Sequence, residues 1–369
     1  MCKNAAGKAT SMTTSPASVT RHQIREMQCA AATLDEQPSH GRALPTAVDR
    51  HWRQDEGHVT TGDGVQLAVR DSGSRHADHT VIFLHGLCLS QESWRYQIDH
   101  LLRRYDDAVR VISYDHRGHG RSGQAPMNSY RVEQLADDLA QVLTACRVSG
   151  PLTLVGHSMG GMAALCYLAR PAAERPIEPH GLVLVATAAG KLSERGLGRL
   201  LATRATDVLF TLIDRTPARA LGALAGPLCA TLQRCRTGAT ATRATLTAVT
   251  AAALATTPVP TAAGFLPSLR SYDQYHSLGS IRASTVIVSG AADVLTPPSH
   301  ARDLAAAISR STHVHIPTAG HMLPHESPHV INAAIVRAMG PPDPAQAASH
   351  SLTRVGGPNF SASAAEVSA

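Results

Sequence analysis

Short apolar runs alternate along this chain with segments whose apolar residues recur every three or four positions. The apolar runs predict buried strands, and the periodic segments predict amphipathic helices. The predicted strands cover residues 80–84, 110–114, 152–156, 181–187, 284–289 and 312–316. The predicted helices cover about 91–105, 130–147 and 159–170. Strands that alternate with helices favour an α/β fold with a mostly parallel, doubly wound sheet.

A turn signal early in the chain predicts two more strands. The segments His58 to Thr61 and Val65 to Asp71 flank the dipeptide Asp63-Gly64. Asp-Gly between two strand-like runs is typical of an antiparallel hairpin. The predicted sheet therefore has eight strands.

The long interval between the strands at 181–187 and 284–289 contains no strong strand and carries apolar residues at helical spacing. It predicts a helical cap, residues 188–270, inserted between two parts of an α/β core at 52–187 and 271–339. Residues 1–51 are rich in Ala, Thr and Ser, and residues 340–369 contain clustered Pro and Gly. Both ends are expected to be disordered extensions.

Composition adds two expectations. A hydrophobic fraction of 43% is ample for a core, and the net charge of +6 is concentrated in the predicted cap, which has ten basic and three acidic residues. This excess is either a solvated helix face or a surface that associates weakly with anionic membranes. We expect no nucleic-acid partner, and the sequence leaves the oligomeric state open.

Cysteine usage and the absence of targeting signals point to one compartment. The seven cysteines lack paired spacing, as expected of reduced thiols. The first 50 residues contain no apolar run of signal-peptide length, and no stretch approaches the roughly 20 apolar residues of a membrane span. We therefore predict a cytoplasmic protein.

The motif Gly156-His157-Ser158-Met159-Gly160 lies between a predicted strand and a predicted helix. Small residues two before and two after a serine permit a very tight turn that projects the hydroxyl outward. Ser158 is therefore a candidate nucleophile. A serine hydroxyl also needs a general base, an acid that orients the base, and an oxyanion site.

Candidates for the acid and the base follow later strands. Asp293 comes after the strand at 284–289, and His321 comes after the strand at 312–316. Loops at the carboxyl ends of parallel strands gather around one crevice. Asp293 has an alternative role as a cap of the helix beginning near Pro298. The rivals of His321 are His313, His315 and above all His325.

Five motifs in order resemble the α/β-hydrolase fold superfamily, specifically single-domain serine hydrolases with a helical cap. They are His85-Gly86, the run Tyr114 to Ser122, Gly156 to Gly161, Gly290 to Asp293, and Gly320-His321. The resemblance implies that Ser158, Asp293 and His321 form a catalytic triad. It also implies that the backbone N–H groups of Leu87 and Met159 bind the oxyanion.

The clustered histidines His85, His116, His119 and His157 invite a metal hypothesis. The chain lacks the short fixed ligand spacings of metal sites, and the glycines at 118–123 match neither a dinucleotide loop nor a P-loop. The resemblance makes these segments structural. We expect neither a metal nor a cofactor.

Hydrolysis of a lipophilic carboxylic ester through an acyl-enzyme is the predicted reaction. Relatives with the same triad cleave thioesters, lactones or C–C bonds, or perform cofactor-free perhydrolysis, and the motifs do not separate these reactions. A non-catalytic relative that binds an apolar ligand is the alternative from a different class. Ser158 argues against epoxide hydrolases and haloalkane dehalogenases, which use aspartate as the nucleophile.

Overall fold

A computed structural model describes residues 54–215 and 257–341 of the 369-residue chain. Eight strands form a single sheet in this part of the chain. They are β1 (Gln54–Thr60), β2 (Gln66–Gly73), β3 (His79–Leu84), β4 (Val109–Tyr114), β5 (Leu152–His157), β6 (Gly181–Val185), β7 (Ser284–Gly290) and β8 (Ser311–Ile316).

The strands are ordered β1-β2-β4-β3-β5-β6-β7-β8 across the sheet. β2 pairs antiparallel with β1 and β4, and the remaining pairs are parallel. The predicted α/β fold with an eight-stranded, mostly parallel sheet is therefore confirmed. β3 lies between β4 and β5, so the chain direction across the sheet reverses here, and such a switch point opens a crevice at the carboxyl ends of the strands.

Helices cover both faces of the sheet. The α-helices are α1 (Arg95–Tyr105), α2 (Val132–Ala145), α3 (Met159–Ala169), α4 (Arg204–Arg215), α5 (Val259–Gly264), α6 (Leu266–Ser271), α7 (Pro298–Ala307), α8 (Leu323–Glu326) and α9 (Pro328–Met339). Short 3-10 helices occur at Gln91–Trp94, Asp106–Ala108, Met127–Ser129, Ala172–Glu174, Leu192–Glu194, Gly196–Ala202 and Tyr275–Ser280.

Two apolar cores form, one on each face of the sheet. One core joins the sheet to α2, α3 and α7 through residues such as Leu139, Leu165 and Leu304. The other joins it to α1 and α9 through residues such as Leu101 and Ile335. Each fully buried leucine or isoleucine stabilises the fold by about 1.5–3 kcal/mol. The cores thereby fix the strand ends on which the loops depend.

Several predicted strand boundaries were wrong: β1 begins at Gln54 and not at His58, β2 ends at Gly73 and not at Asp71, and the strand at 181–187 is shorter than expected. The strand expected over 181–187 ends at Val185, because Ala186 has a φ of +46° and leaves the extended conformation. The next side chain, Thr187, turns back and donates a hydrogen bond of 2.7 Å from Oγ1 to the carbonyl oxygen of Ser158. The end of β6 thus braces the candidate nucleophile instead of continuing the sheet.

The described parts of the predicted cap are helical. Residues 188–215 and 257–270 contain 3-10 and α-helical segments and, at Gly190, one isolated bridge to Asp273. The rest of the predicted cap, 216–256, lies outside the described residues. The extensions predicted to be disordered, 1–51 and most of 340–369, also lie outside them.

Candidate active site

The turn between β5 and α3 holds Ser158 in a strained backbone conformation with a positive φ of 52° and a ψ of −119°. Such a conformation is costly for a residue with a side chain and needs support from its surroundings. The neighbouring glycines supply the room. A Cβ atom on Gly160 would lie 2.2 Å from the carbonyl oxygen of Leu84. A Cβ atom on Gly156 would lie 2.5 Å from Cα of Gly161.

The structure brings the three predicted side chains together. Nε2 of His321 lies 3.1 Å from Oγ of Ser158, and Nδ1 of His321 lies 2.8 Å from Oδ2 of Asp293. The imidazole is buried, with 4% of His321 exposed. This arrangement allows an Nδ1–H donor toward the carboxylate and an Nε2 acceptor toward the hydroxyl. It is the geometry that a general base beside a serine nucleophile requires.

The carboxylate of Asp293 is held by several donors besides the imidazole. The amides of Leu295 and Thr296 each donate to Oδ1 at 2.9 Å, and Oγ1 of Thr296 donates to Oδ2 at 2.8 Å. Burial acts to raise the pKa of Asp293, but His321 and these hydrogen bonds outweigh burial and lower it. The carboxylate therefore stays ionised beside the imidazole. Its donors lie in its own loop, so Asp293 does not cap α7 at Pro298.

Two residues beside Ser158 carry backbone amides that could serve an oxyanion. Leu87 and Met159 line the same cavity as Ser158, and their N–H groups donate no hydrogen bond to another described residue. Met159 begins α3, where the first N–H groups have no partner within the helix. Free amides at a helix N-terminus favour negative charge. They can stabilise an oxyanion formed by attack of the Ser158 oxygen.

Histidines fix the loop that carries Leu87. Nδ1 of His85 lies 2.8 Å from the carbonyl oxygen of Gly86 and donates to it. Because the peptide group is planar, fixing this carbonyl also fixes the direction of the Leu87 N–H. Beyond Leu87, the amide of Cys88 donates to Nε2 of His119 at 3.1 Å.

These clustered imidazoles are buried and neutral. Burial lowers the pKa of His85 to about 4, and burial together with His85 lowers the pKa of His119 to about 3. His116 is also buried, and one ring nitrogen lies 3.1 Å from the carbonyl oxygen of His85. Within residues 54–215 and 257–341, no group of three or more His, Cys, Asp or Glu side chains is arranged to hold a metal ion.

The rival histidines have other partners. Nε2 of His313 and Nδ1 of His315 lie 2.8 and 3.1 Å from Oγ of Ser289. The exposed His325 packs edge-on against the ring of Tyr96, with the ring centroids 6.0 Å apart. Of the predicted candidates, His321 is the histidine placed against both Ser158 and Asp293.

An apolar cavity of about 250 Å³ opens beside the hydroxyl. Among the described residues, its polar lining consists of His157, Ser158, Thr296, His321 and the thiol-bearing Cys88. No carboxylate, lysine or arginine of the described chain lines it. The remaining wall consists of glycine and apolar residues, namely Gly86, Leu87, Leu89, Met159, Met162, Leu192, Leu197, Gly198, Leu200, Leu201, Leu266, Leu269, Leu295 and Met322.

Sequence reasoning missed several residues that support this site. Thr296 and Glu326 received no role, although each bonds a candidate catalytic side chain or its loop. His157 was considered only as a metal ligand, yet its ring nitrogen lies 2.9 Å from the carbonyl oxygen of His321. The sequence signal that could have indicated these roles is proximity along the chain. His157 directly precedes the candidate nucleophile, and Glu326 follows the candidate base by five residues.

The state of the cysteines and the character of the helices bear on the predicted cytoplasmic location. Cys88, Cys146 and Cys166 are free thiols, and the other four cysteines lie outside the described residues. Within residues 54–215 and 257–341, no helix combines the length and the apolar character that crossing a bilayer requires. The cytoplasmic location stays a prediction.

A serine on a strained strand-to-helix turn, facing a histidine and an aspartate from later loops of a mostly parallel sheet, defines the α/β-hydrolase class of architecture. The chain belongs to the alpha/beta hydrolase fold family, whose model matches residues 79–328. The resemblance on which the sequence interpretation depended is thus confirmed.

Curated relatives match a shorter stretch. The chain is 40% identical over 114 residues to the bifunctional esterase/perhydrolase DCH of Acinetobacter calcoaceticus. It is 38% identical over 114 residues to a non-heme chloroperoxidase of Streptomyces lividans. Each match covers 31% of this chain and 39% of the relative. The chain therefore spans about two fifths of the length of these relatives.

Solved structures match over about four fifths of the chain. A thermophilic esterase from Thermogutta terrifontis aligns with a TM-score of 0.56 and 24% identity, covering 82% of this chain and 99% of that one. The esterase EaEST from Exiguobacterium antarcticum aligns with a TM-score of 0.58 and 22% identity, covering 77% and 99%. At this level of identity, the likeness establishes the fold.

Proposed function

We propose that this protein is a serine hydrolase that cleaves carboxylic esters through an acyl-enzyme. One observation carries the proposal. Oγ of Ser158 lies 3.1 Å from Nε2 of His321, whose other nitrogen lies 2.8 Å from Asp293, and this chain of contacts ends at an apolar cavity. The family and the esterase names among the relatives support the same reaction class.

The proposed reaction has two halves. Ser158 attacks the ester carbonyl while His321 accepts its proton, and Asp293 holds the imidazole and stabilises the imidazolium. The negative oxygen of the tetrahedral intermediate lies against the N–H groups of Leu87 and Met159. The intermediate collapses as His321 returns the proton to the departing alcohol. Water, deprotonated by His321, then releases the acid by the same steps.

The cavity wall supports an uncharged, lipophilic substrate. Leucine and methionine dominate the lining, and no carboxylate, lysine or arginine side chain of the described residues is available in the wall to pair with an anion or a cation. Burying an ionised group without a partner is strongly unfavourable. We therefore propose small to medium apolar acyl or alcohol groups, and not substrates with a second carboxylate.

A panel of p-nitrophenyl esters of graded acyl length tests the proposal. We expect hydrolysis by the wild type, and labelling of Ser158 by a fluorophosphonate probe. The variant Ser158→Ala should fold normally and lose both activities. A folded wild type that neither hydrolyses the panel nor reacts with the probe would instead support the non-catalytic, ligand-binding alternative.

Perhydrolysis is a second candidate, favoured by the name of the esterase/perhydrolase relative. In this reaction hydrogen peroxide replaces water, attacks the acyl-enzyme at the carbonyl, and releases a peracid and free Ser158. Thioester, lactone and C–C bond hydrolysis remain alternatives on the same residues. Peracid formation from an ester with and without added peroxide distinguishes these outcomes, with Ser158→Ala as the control.

Association of the basic cap with anionic membranes stays a proposal. Of the described cap cations, Arg195 pairs with Asp303 at 2.8 Å, and Lys191 lies over the ring of Tyr275. The basic residues at 219, 234, 236 and 243 lie outside the described chain. We expect salt-sensitive binding to anionic liposomes. If binding is absent or insensitive to salt, the basic excess of the cap is a solvated helix face and not a membrane-binding surface.

A further inference from the structure

We propose that Glu326 and His157 act together as positioning residues that hold His321 in place against Ser158. The inference rests on the proposed function, because it assigns His321 the role of general base. Neither residue contacts the Ser158 hydroxyl in the described contacts. Their effect passes through the backbone of the loop that carries His321.

The carboxylate of Glu326 accepts hydrogen bonds from the N–H groups of the residues before and after His321. Its Oε2 accepts a hydrogen bond from the N–H of Gly320, and its Oε1 accepts one of 3.0 Å from the N–H of Met322. Hydrogen bonds from amides to an ionised carboxylate are stronger than those between neutral groups. Oε1 therefore fixes the peptide group that follows His321, and Oε2 fixes the peptide group between Ala319 and Gly320, one residue before it.

His157 holds the same loop from the opposite side. Its Nε2 lies 2.9 Å from the carbonyl oxygen of His321 and donates to it. Burial and the neighbouring His321 lower the pKa of His157 to about 3, so the ring is neutral with its proton on Nε2. His157 is the last residue of β5 and is bonded covalently to Ser158. The nucleophile and the base are thus connected through one side chain.

The two contacts meet on a single peptide group. The carbonyl of His321, which accepts from His157, and the N–H of Met322, which donates to Glu326, belong to the same planar unit. Holding both ends of that unit restricts rotation of the backbone at His321. The direction in which the imidazole leaves the backbone is restricted with it.

The helix that bears Glu326 is itself anchored. The side-chain amide of Gln97, a buried residue of α1, donates to the carbonyl oxygen of Pro324 at 2.9 Å. Leu323 is fully buried in the core between the sheet and α1. The amides of His325 and Glu326 both donate to the carbonyl oxygen of Met322 at 2.9 Å. These contacts therefore fix the position of the helix from which the Glu326 carboxylate reaches the loop.

The variant Glu326→Gln tests the carboxylate with little change in volume. The glutamine side chain keeps one acceptor oxygen, so one of the two flanking amides loses its partner. We expect kcat for a p-nitrophenyl ester to fall about tenfold to hundredfold, as small misplacements of catalytic groups do. KM should stay within about twofold, because Glu326 does not line the cavity. The matched control is Glu174→Gln, a change to another exposed carboxylate that should leave both parameters unchanged.

A pair of variants at the other contact tests rescue. His157→Phe keeps the ring packing but removes the donor, and it should lower kcat by a factor similar to that of Glu326→Gln. His157→Gln restores an N–H donor and should recover part of the loss. Because both residues hold one peptide group, the effects of Glu326→Gln and His157→Phe on kcat should be non-additive in the double variant.

The results separate this inference from the proposed function. Absence of hydrolysis by the folded wild type would remove the proposed function itself. An active wild type with unchanged kcat in both folded single variants would overturn the positioning role. Equal activity of His157→Phe and His157→Gln, or strictly additive effects in the double variant, would also contradict it.

Discussion

The amide nitrogen of Cys88 lies 3.1 Å from Nε2 of His119 and donates a hydrogen bond to it. The two residues are 31 positions apart, yet this contact holds the peptide next to the candidate oxyanion donor Leu87. Cys88 needs the support, because its backbone has a φ of +62°. Nδ1 of His119 donates to the carbonyl oxygen of Arg117 at 3.0 Å, which leaves Nε2 as the acceptor.

Replacing His119 should therefore weaken both the fold and the oxyanion site. His119→Phe leaves the buried amide of Cys88 without an acceptor, which should cost about 1–3 kcal/mol of unfolding free energy. Movement of the Leu87 N–H should also lower kcat, by less than the hundredfold to thousandfold loss that removal of an oxyanion donor causes. Urea unfolding and ester hydrolysis measure the two effects. His119→Gln retains an acceptor and is the control; equal kcat in the wild type and His119→Phe would refute the coupling.

Removing the charge of Asp293 should impair catalysis without changing shape. Asp293→Asn replaces the ionised acceptor of the His321 Nδ1–H by an amide, which favours the wrong imidazole tautomer. A loss of about 10⁴-fold in kcat is expected, the size seen for such a change in a serine protease triad. His325→Ala, which alters the nearest sequence rival, should leave kcat unchanged. A large loss in His325→Ala together with an active His321→Ala would move the base to His325.

The turn at Ser158 depends on glycine at position 160. A Cβ atom there would lie 2.2 Å from the carbonyl oxygen of Leu84, a backbone atom that cannot rotate away. Gly160→Ala should therefore lower the free energy of unfolding by about 3 kcal/mol or abolish folding. Gly57→Ala is the matched control, because a Cβ atom at Gly57 would meet nothing within 4 Å. Comparable melting temperatures for the two variants would contradict the close approach of the turn to Leu84.

Buried histidines should make the fold sensitive to mild acid. Six buried histidines and the half-buried His79 have a lowered pKa, with burial as the main cause; the six are His85, His116, His119, His157, His300 and His313. They are neutral in the fold at pH values where the unfolded chain takes up protons. Stability is therefore complete above about pH 6.5 and is lost as the pH falls toward the lowered pKa values of the folded state.

The free energy of unfolding should fall steeply as the pH decreases. Each such histidine can remove up to about 1.4 kcal/mol per pH unit below its unfolded pKa. Urea unfolding at pH 7.5, 6.5, 5.5 and 5.0 should show a falling free energy over this range. His79→Gln keeps a partner for Oγ1 of Thr153 but removes one titrating ring, so it should reduce the slope. An unfolding free energy that stays constant from pH 7.5 to 5.0 would contradict this account.

The sequence predicted the sheet and the nucleophile turn because their signals are local. The apolar run before Ser158 and the glycines around it report strand, turn and helix within a dozen residues. The order of Ser158, Asp293 and His321 along parallel strands then placed three loops at one edge. The distances among these side chains agree with that placement.

The supporting contacts could not be predicted in the same way. His157 reaches a carbonyl 164 positions away, and the amide of Cys88 reaches His119 through packing of two loops. Such partners depend on side-chain direction in the folded chain, which hydrophobic spacing does not encode. The end of β6 was missed for a similar reason, since Ala186 is apolar but its backbone has turned out of the strand.

The cavity wall predicts that substrate length is limited by a cap residue. Leu201 lies in the 3-10 helix Gly196–Ala202 and lines the cavity of about 250 Å³. Leu201→Trp adds an indole ring to the wall and should reduce kcat/KM for octanoate esters by about tenfold or more. Removing the space for a few methylene groups costs about 0.8 kcal/mol for each group that is no longer buried. Acetate esters, whose acyl group stays near Ser158, should be hydrolysed within about twofold of the wild-type rate. Leu201→Val should leave the ratio of octanoate to acetate hydrolysis close to that of the wild type. Equal losses for acetate and octanoate in Leu201→Trp would mean that Leu201 affects the site itself and not the length of chain that fits beside it.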